Sequence, residues 1–161
     1  MNLISQILPV ERVLVDMPVS VQGDLFDRVG DVFARELGLA KKHVVSALTQ
    51  REKLGSTGLG QGVAIPHGRI KGLKQAEGVF VRTQTPIEFG APDGAPVSMV
   101  FVMLVPEQAN ESHLRLLSEL AQVFSDRGFR DRLGDASDAV EAWSLFDSWN
   151  PNAANERSAA V

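Results

Sequence analysis

Apolar residues along the chain recur with two distinct periods. From Gly23 to Leu37, the residues Leu25, Phe26, Val29, Val32, Phe33 and Leu37 return every three or four positions, as on one face of an α-helix. Gly38 follows as a stop signal. A second helix is predicted over 40–54, AKKHVVSALTQREKL, ending against Gly55. EGVFVRT (77–83) and PVSMVFVMLV (96–105) predict strands instead, and the second is apolar almost throughout, as a strand buried on both faces should be. ERVLVDMPV (11–19) predicts another short strand, ending near Pro18. Residues 55–68 hold many glycines, then VAI and a proline, so a turn and a short strand are expected there. Between the two long strands, PIEFGAPDGAP carries turn chemistry, including Asp93-Gly94.

Asn110 is the expected N-cap of a long helix with Leu114, Leu117, Leu120, Ala121 and Phe124 inward. FRDRL predicts a short helical piece, and DASDAVEAWSLFDSW a last helix with Ala139, Ala142, Trp143 and Phe146 on its apolar side. After Trp149 the tail NPNAANERSAAV offers little to bury. The expected organisation is one domain over 1–149 and a disordered tail over 150–161. Strands interspersed with helices predict a three-layer α/β domain.

Composition narrows the function more than the fold. With 44% hydrophobic and 22% charged residues, the chain has an ordinary globular balance. There is no cysteine, which removes disulfides, thiolate catalysis and cysteine zinc sites. A formal charge of -4 opposes a general nucleic-acid binder. No apolar run approaches the roughly twenty residues a membrane-spanning helix needs. The start, MNLISQILPVERV, lacks the pattern of a signal peptide. A cytoplasmic protein without membrane insertion is expected.

The stretch GLGQGVAIPHGRI (58–70) concentrates the candidate chemistry. Gly58, Gly60 and Gly62 suggest a nucleotide loop, but a dinucleotide fingerprint follows a strand and opens a helix. Here a charged helix precedes the glycines and VAIPH follows them, and no G-K-[ST] is present. Glycine also lets backbone amides approach an anion. Beside such a loop His67 can act as a nucleophile, one ring nitrogen attacking phosphorus while the other donates its proton to a backbone carbonyl. The alternative is a partly buried structural histidine on a hairpin.

Two neighbours sharpen the choice. Val44, Leu48 and Arg51 stand at i, i+4 and i+7, so Arg51 continues an inward face and can clamp phosphate oxygens, or else make a helix-end salt bridge. His113 falls in the first turn of the helix that Asn110 caps, where an anion is favoured, or else serves in capping or packing. His43, beside Lys41 and Lys42, is expected in solvent. Two histidines with Asp93 or Glu111 could form a zinc site, yet close ligand spacing is lacking and a neighbouring arginine opposes a cation. No metal or other cofactor is expected.

Three stretches carry a family resemblance: REKLGSTGLGQGVAIPHGRI (51–70), PIEFGAPDGAPVSMVFVMLVP (86–106) and ANESHLRLLSELAQVF (109–124). Together they resemble the IIA component of the bacterial phosphoenolpyruvate-dependent phosphotransferase system, in the class of the fructose, mannitol and nitrogen-regulatory proteins. The resemblance implies a mixed five-stranded sheet flanked by helices on both faces. It implies that an HPr-like phosphocarrier phosphorylates His67 at Nε2, with Arg51, His113, Ser56, Thr57 and Gly58 supporting the phosphate. GSTGLGQGVAIPHGR looks closer to the nitrogen-regulatory branch, in which the phosphorylation state of His67 would bias binding to regulatory targets. The alternatives are a sugar-transport subunit that passes phosphate to a IIB component, and a binding module without phosphotransfer.

Overall fold

The computed structural model describes residues 2–108 and 111–150. The elements in order are α1 (Leu3–Ile7), a single 3-10 turn (Val10–Arg12), β1 (Val13–Met17), α2 (Gln22–Leu37), α3 (Lys41–Leu54), β2 (Gly58–Gly60), β3 (Val63–Ala64), β4 (His67–Ile70), β5 (Glu77–Ile87), β6 (Val97–Pro106), α4 (Glu111–Ser125), α5 (Arg127–Asp135) and α6 (Ala139–Ser148). The fold is α/β, with a mixed sheet flanked by helices. The chain divides into two compact units, one within Leu14–Ala109 and one from the residues on either side of it.

The first unit carries the sheet, in the order β1-β5-β6-β3-β2, with β4 also paired to β6. Six strands fill five positions because β3 and β4 run in succession along one edge of β6. Val63 lies opposite Met99 and His67 opposite Met103, both parallel to β6. Pro66 separates the two strands: it has no N–H to give the ladder, though its carbonyl accepts from the Met103 amide at 2.9 Å. The five-stranded expectation is met in width, and the proline accounts for the extra strand.

The helices form where their spacing predicts. α2 ends at Gly38, whose φ of 68° suits the left-handed cap a glycine accepts most readily. Leu25, Phe26, Val29 and Phe33 of α2 join Val44 and Leu48 of α3 against Val79, Val81, Val100, Val102 and Leu104 of the sheet. The alternate residues Phe80, Phe101 and Met103 are buried as well, so β6 is buried on both faces, as its apolar run requires. β5 runs past its predicted end at Thr83 to Ile87. Its register against β6 is irregular between Arg82 and Ile87, and such a break tolerates Pro86. The turn chemistry therefore starts after Ile87.

In the second unit, Asn2 caps α1 by accepting from the Ser5 amide at 2.8 Å. Its side-chain nitrogen donates to the carbonyls of Phe146 and Trp149 at 2.7 and 2.8 Å. Phe124, Phe129 and Phe146 meet edge to face, with centroids 5.3 to 6.2 Å apart. α4 differs from expectation in its inward stripe. Leu114 is 67% exposed, and Leu116, Leu120, Val123 and Phe124 are buried. Ala121 is exposed too. Leu120 and Phe124 are inward as expected, but they belong to two apolar stripes, 114-117-120-121-124 and 116-120-123-124, and periodicity alone does not choose between them. Asn110 and residues 151–161 lie outside the described residues, so the predicted cap and most of the predicted tail do too. Among the described residues no helix is long and apolar enough to cross a membrane.

Candidate functional site

β2 and β3 form a tight hairpin around Gln61 and Gly62, with φ of 59° and 78°. Two consecutive positive φ values match the right-handed twist of the strands and explain Gly62. Gln61, a residue that adopts this conformation at a cost, is held by the Asp93 carboxylate, which accepts its amide at 2.9 Å. The other Asp93 oxygen accepts from the Ala95 amide at 3.1 Å. These backbone bonds, first Gln61 and then Ala95, hold the Asp93 carboxyl below the ordinary carboxylate range. Both oxygens thus accept from backbone amides. Among the described residues no three histidine, aspartate or glutamate side chains group to hold a metal ion.

The other glycines permit close approach. A Cβ on Gly58 would lie 2.8 Å from the Ala91 Cβ, and one on Gly68 would lie 3.1 Å from the Ala47 Cβ. Gly68 therefore lets α3 lie directly on β4. Side chains alternate along a strand, so His67, one residue earlier, is directed to the opposite face of the sheet from Gly68.

His67 is half-buried, and its Nδ1 stands 2.9 Å from the Ile65 carbonyl. A carbonyl only accepts, so Nδ1 carries the proton in this bond, and in the neutral ring Nε2 then keeps its lone pair. Of the two roles expected for the ring nitrogens, the bond to a backbone carbonyl is the one present. Ile65 is itself anchored, its amide donating to the Thr57 carbonyl at 3.0 Å.

Arg51 is half-buried in the last turn of α3 and donates through Nη1 to the Gly55 carbonyl at 2.7 Å. The Ser56 hydroxyl donates to the Phe89 carbonyl at 2.6 Å and accepts from the Gly58 amide at 3.0 Å. Thr57 is buried and bonds through both its amide and its hydroxyl to Glu52. The structure thus joins Thr57 to His67 through Ile65, and ties Arg51, Ser56 and Gly58 into the loop that carries Thr57. His113 is half-buried in the first turn of α4, in the second unit. His43 is exposed, as expected. Glu52 is the residue the sequence did not single out. Between Arg51 and Lys53 it reads as one of several charges on a helix end, and only the folded-back loop shows its partner.

Residues 6–149 match the family model described as "Phosphoenolpyruvate-dependent sugar phosphotransferase system, EIIA 2". The chain is 40% identical over 143 residues to a nitrogen regulatory protein of Pseudomonas aeruginosa, covering 88% of this chain and 93% of that one. It is 32% identical over 140 residues to the fructose-specific EIIA component of the phosphotransferase system of Haloferax volcanii, covering 83% and 87%. The crystal structure of the nitrogen regulatory protein IIA-Ntr from Neisseria meningitidis superposes with a TM-score of 0.85 at 49% identity, covering 89% of this chain and 99% of that one.

Proposed function

We propose that this chain, which belongs to the EIIA type 2 family of the phosphoenolpyruvate-dependent sugar phosphotransferase system, carries a phosphoryl group on Nε2 of His67. The observation that supports this most is the Nδ1 bond to Ile65, which in the neutral imidazole leaves Nε2 as the unprotonated nitrogen. The Nε2 lone pair attacks phosphorus, and the bond from phosphorus to the carrier breaks, its electron pair leaving with the carrier. Nδ1 keeps its proton throughout. The ring gains positive character, which strengthens the Nδ1–H bond to the carbonyl. Arg51 supports the phosphoryl group, the role that the family likeness implies for it.

The donor is an HPr-like phosphocarrier, and the setting is the cytoplasm. In this reading the phosphorylation state of His67 regulates partner proteins, as the resemblance to two nitrogen regulatory proteins suggests. Likeness to a fructose-specific EIIA component supports a second reading, in which the phosphoryl group passes on to a IIB protein. Incubation of the phosphoprotein with candidate IIB proteins separates the two. Loss of label to a IIB protein at a rate matching its charging favours transport. Retained label, with target binding that differs between phosphorylated and unphosphorylated protein, favours regulation. Labelling of a His67→Ala variant would overturn both.

A further inference from the structure

Near the end of α3, the adjacent charged residues Arg51 and Glu52 both reach forward over the loop after it. Arg51 holds the Gly55 carbonyl, and the Glu52 carboxylate accepts from Thr57 twice, from the amide at 3.3 Å and from the hydroxyl through its other oxygen. Thr57 is only 7% exposed, so its donors have little recourse to water. The carbonyl of Thr57 takes the Ile65 amide at 3.0 Å, and the Pro66 carbonyl takes the Met103 amide at 2.9 Å. The Ile65 carbonyl therefore lies between two fixed points, β6 on one side and the Glu52-clamped loop on the other. To that carbonyl His67 donates its Nδ1 proton.

We infer that Glu52 is a positioning residue for His67: by clamping Thr57 it fixes the Ile65 carbonyl and so keeps the imidazole proton on Nδ1. The inference rests on the reading of His67 as the phosphoryl acceptor. The tautomer matters because a proton on Nε2 occupies the lone pair that attacks phosphorus. The link is mechanical and not electronic, since the Ile65 amide and the Ile65 carbonyl belong to different peptide groups. A carboxylate suits the position because both Thr57 groups are donors and both its oxygens accept. Glutamine has nearly the same shape but accepts through one oxygen, and its amide N–H would face a donor.

The test compares wild type with Glu52→Gln, Thr57→Val and Thr57→Ser. Imidazole 15N NMR of the unphosphorylated proteins reads the His67 tautomer, and labelling from a charged phosphocarrier reads the rate. In wild type and Thr57→Ser, Nδ1 should carry the proton. In Glu52→Gln and Thr57→Val the Nε2–H form should predominate. The maximal transfer rate should fall about tenfold, the size expected for one lost charge-assisted bond. The carrier concentration at half-maximal rate should not change. A protein carrying both Glu52→Gln and Thr57→Val should be no slower than Glu52→Gln, since both substitutions break one clamp. A folded Glu52→Gln protein with wild-type tautomer and rate would overturn the inference, and so would a Thr57→Val protein with both unchanged. If wild type takes no label at all, the acceptor reading fails, and the tautomer comparison still decides the clamp.

Discussion

Gln61 and Glu119 both carry a local cost that a single substitution should relieve. Gln61 holds a φ of 59° in a two-residue turn that favours asparagine before glycine. Gln61→Asn should raise stability by up to about 1 kcal/mol, the order of a left-handed penalty, seen as a higher urea midpoint with an unchanged slope. A lower midpoint would mean that the Gln61 side chain has a role that its backbone bond to Asp93 does not show. Glu119 has one carboxylate oxygen buried without a hydrogen-bond partner. Burial raises its pKa above the ordinary 4.5, partly countered by Arg115. A carboxyl raised in the folded state contributes stability below its unfolded pKa and loses it as pH rises through the folded value. Glu119→Gln should therefore gain on wild type as pH rises from about 4 to 7, compared by urea unfolding at each pH. A constant difference across that range would contradict the desolvation. His67 and Arg51 were legible at this scale as candidates, because their residue types and the glycine context carry chemistry. Glu52 was not, because its meaning depends on Thr57, five residues on and across a chain reversal.

At the scale of elements, the seating of α3 on β4 at Gly68 brings the helix that bears Arg51 and Glu52 against the strand that begins with His67. A Cβ on Gly68 would press on Ala47, 3.1 Å from its Cβ and 3.3 Å from its carbonyl carbon. Gly68→Ala should cost about 1–3 kcal/mol, as overpacking does, and should slow phosphorylation of His67 through the shifted helix. Unfolding titrations and labelling rates measure the two effects, and a neutral result in both would mean that α3 yields freely there. The helices α2 and α3 and the strand β6 were readable because each buries a face long enough to impose a period. α1, five residues held by the Asn2 cap, is too short to show one. The inward stripe of α4 could not be chosen because leucines occupy both candidate stripes, and the register break that lets β5 continue through Pro86 exists only in its pairing with β6.

At the scale of the whole molecule, stability depends on burial of the apolar positions that α2, α3 and the sheet share. Leu48 is fully buried in that cluster, so Leu48→Ala should cost about 2–5 kcal/mol, read as a lower unfolding midpoint. A loss below about 1 kcal/mol would mean that the site collapses around the smaller side chain. The α/β class and the mixed sheet were legible from the alternation of strand and helix patterns and from the family motifs. The split of the sheet edge into β3 and β4 was not, since it turns on the missing N–H of Pro66. The central claim concerns the chemistry that this scaffold presents at His67, and chemical stability of the product tests it most directly. Charged from phosphoenolpyruvate through enzyme I and an HPr-like phosphocarrier, the protein should gain one phosphoryl group that is labile in acid and stable in base. His43→Ala should label like wild type and His67→Ala should not. An acid-stable product, or label on the His67→Ala protein, would contradict His67 as the acceptor.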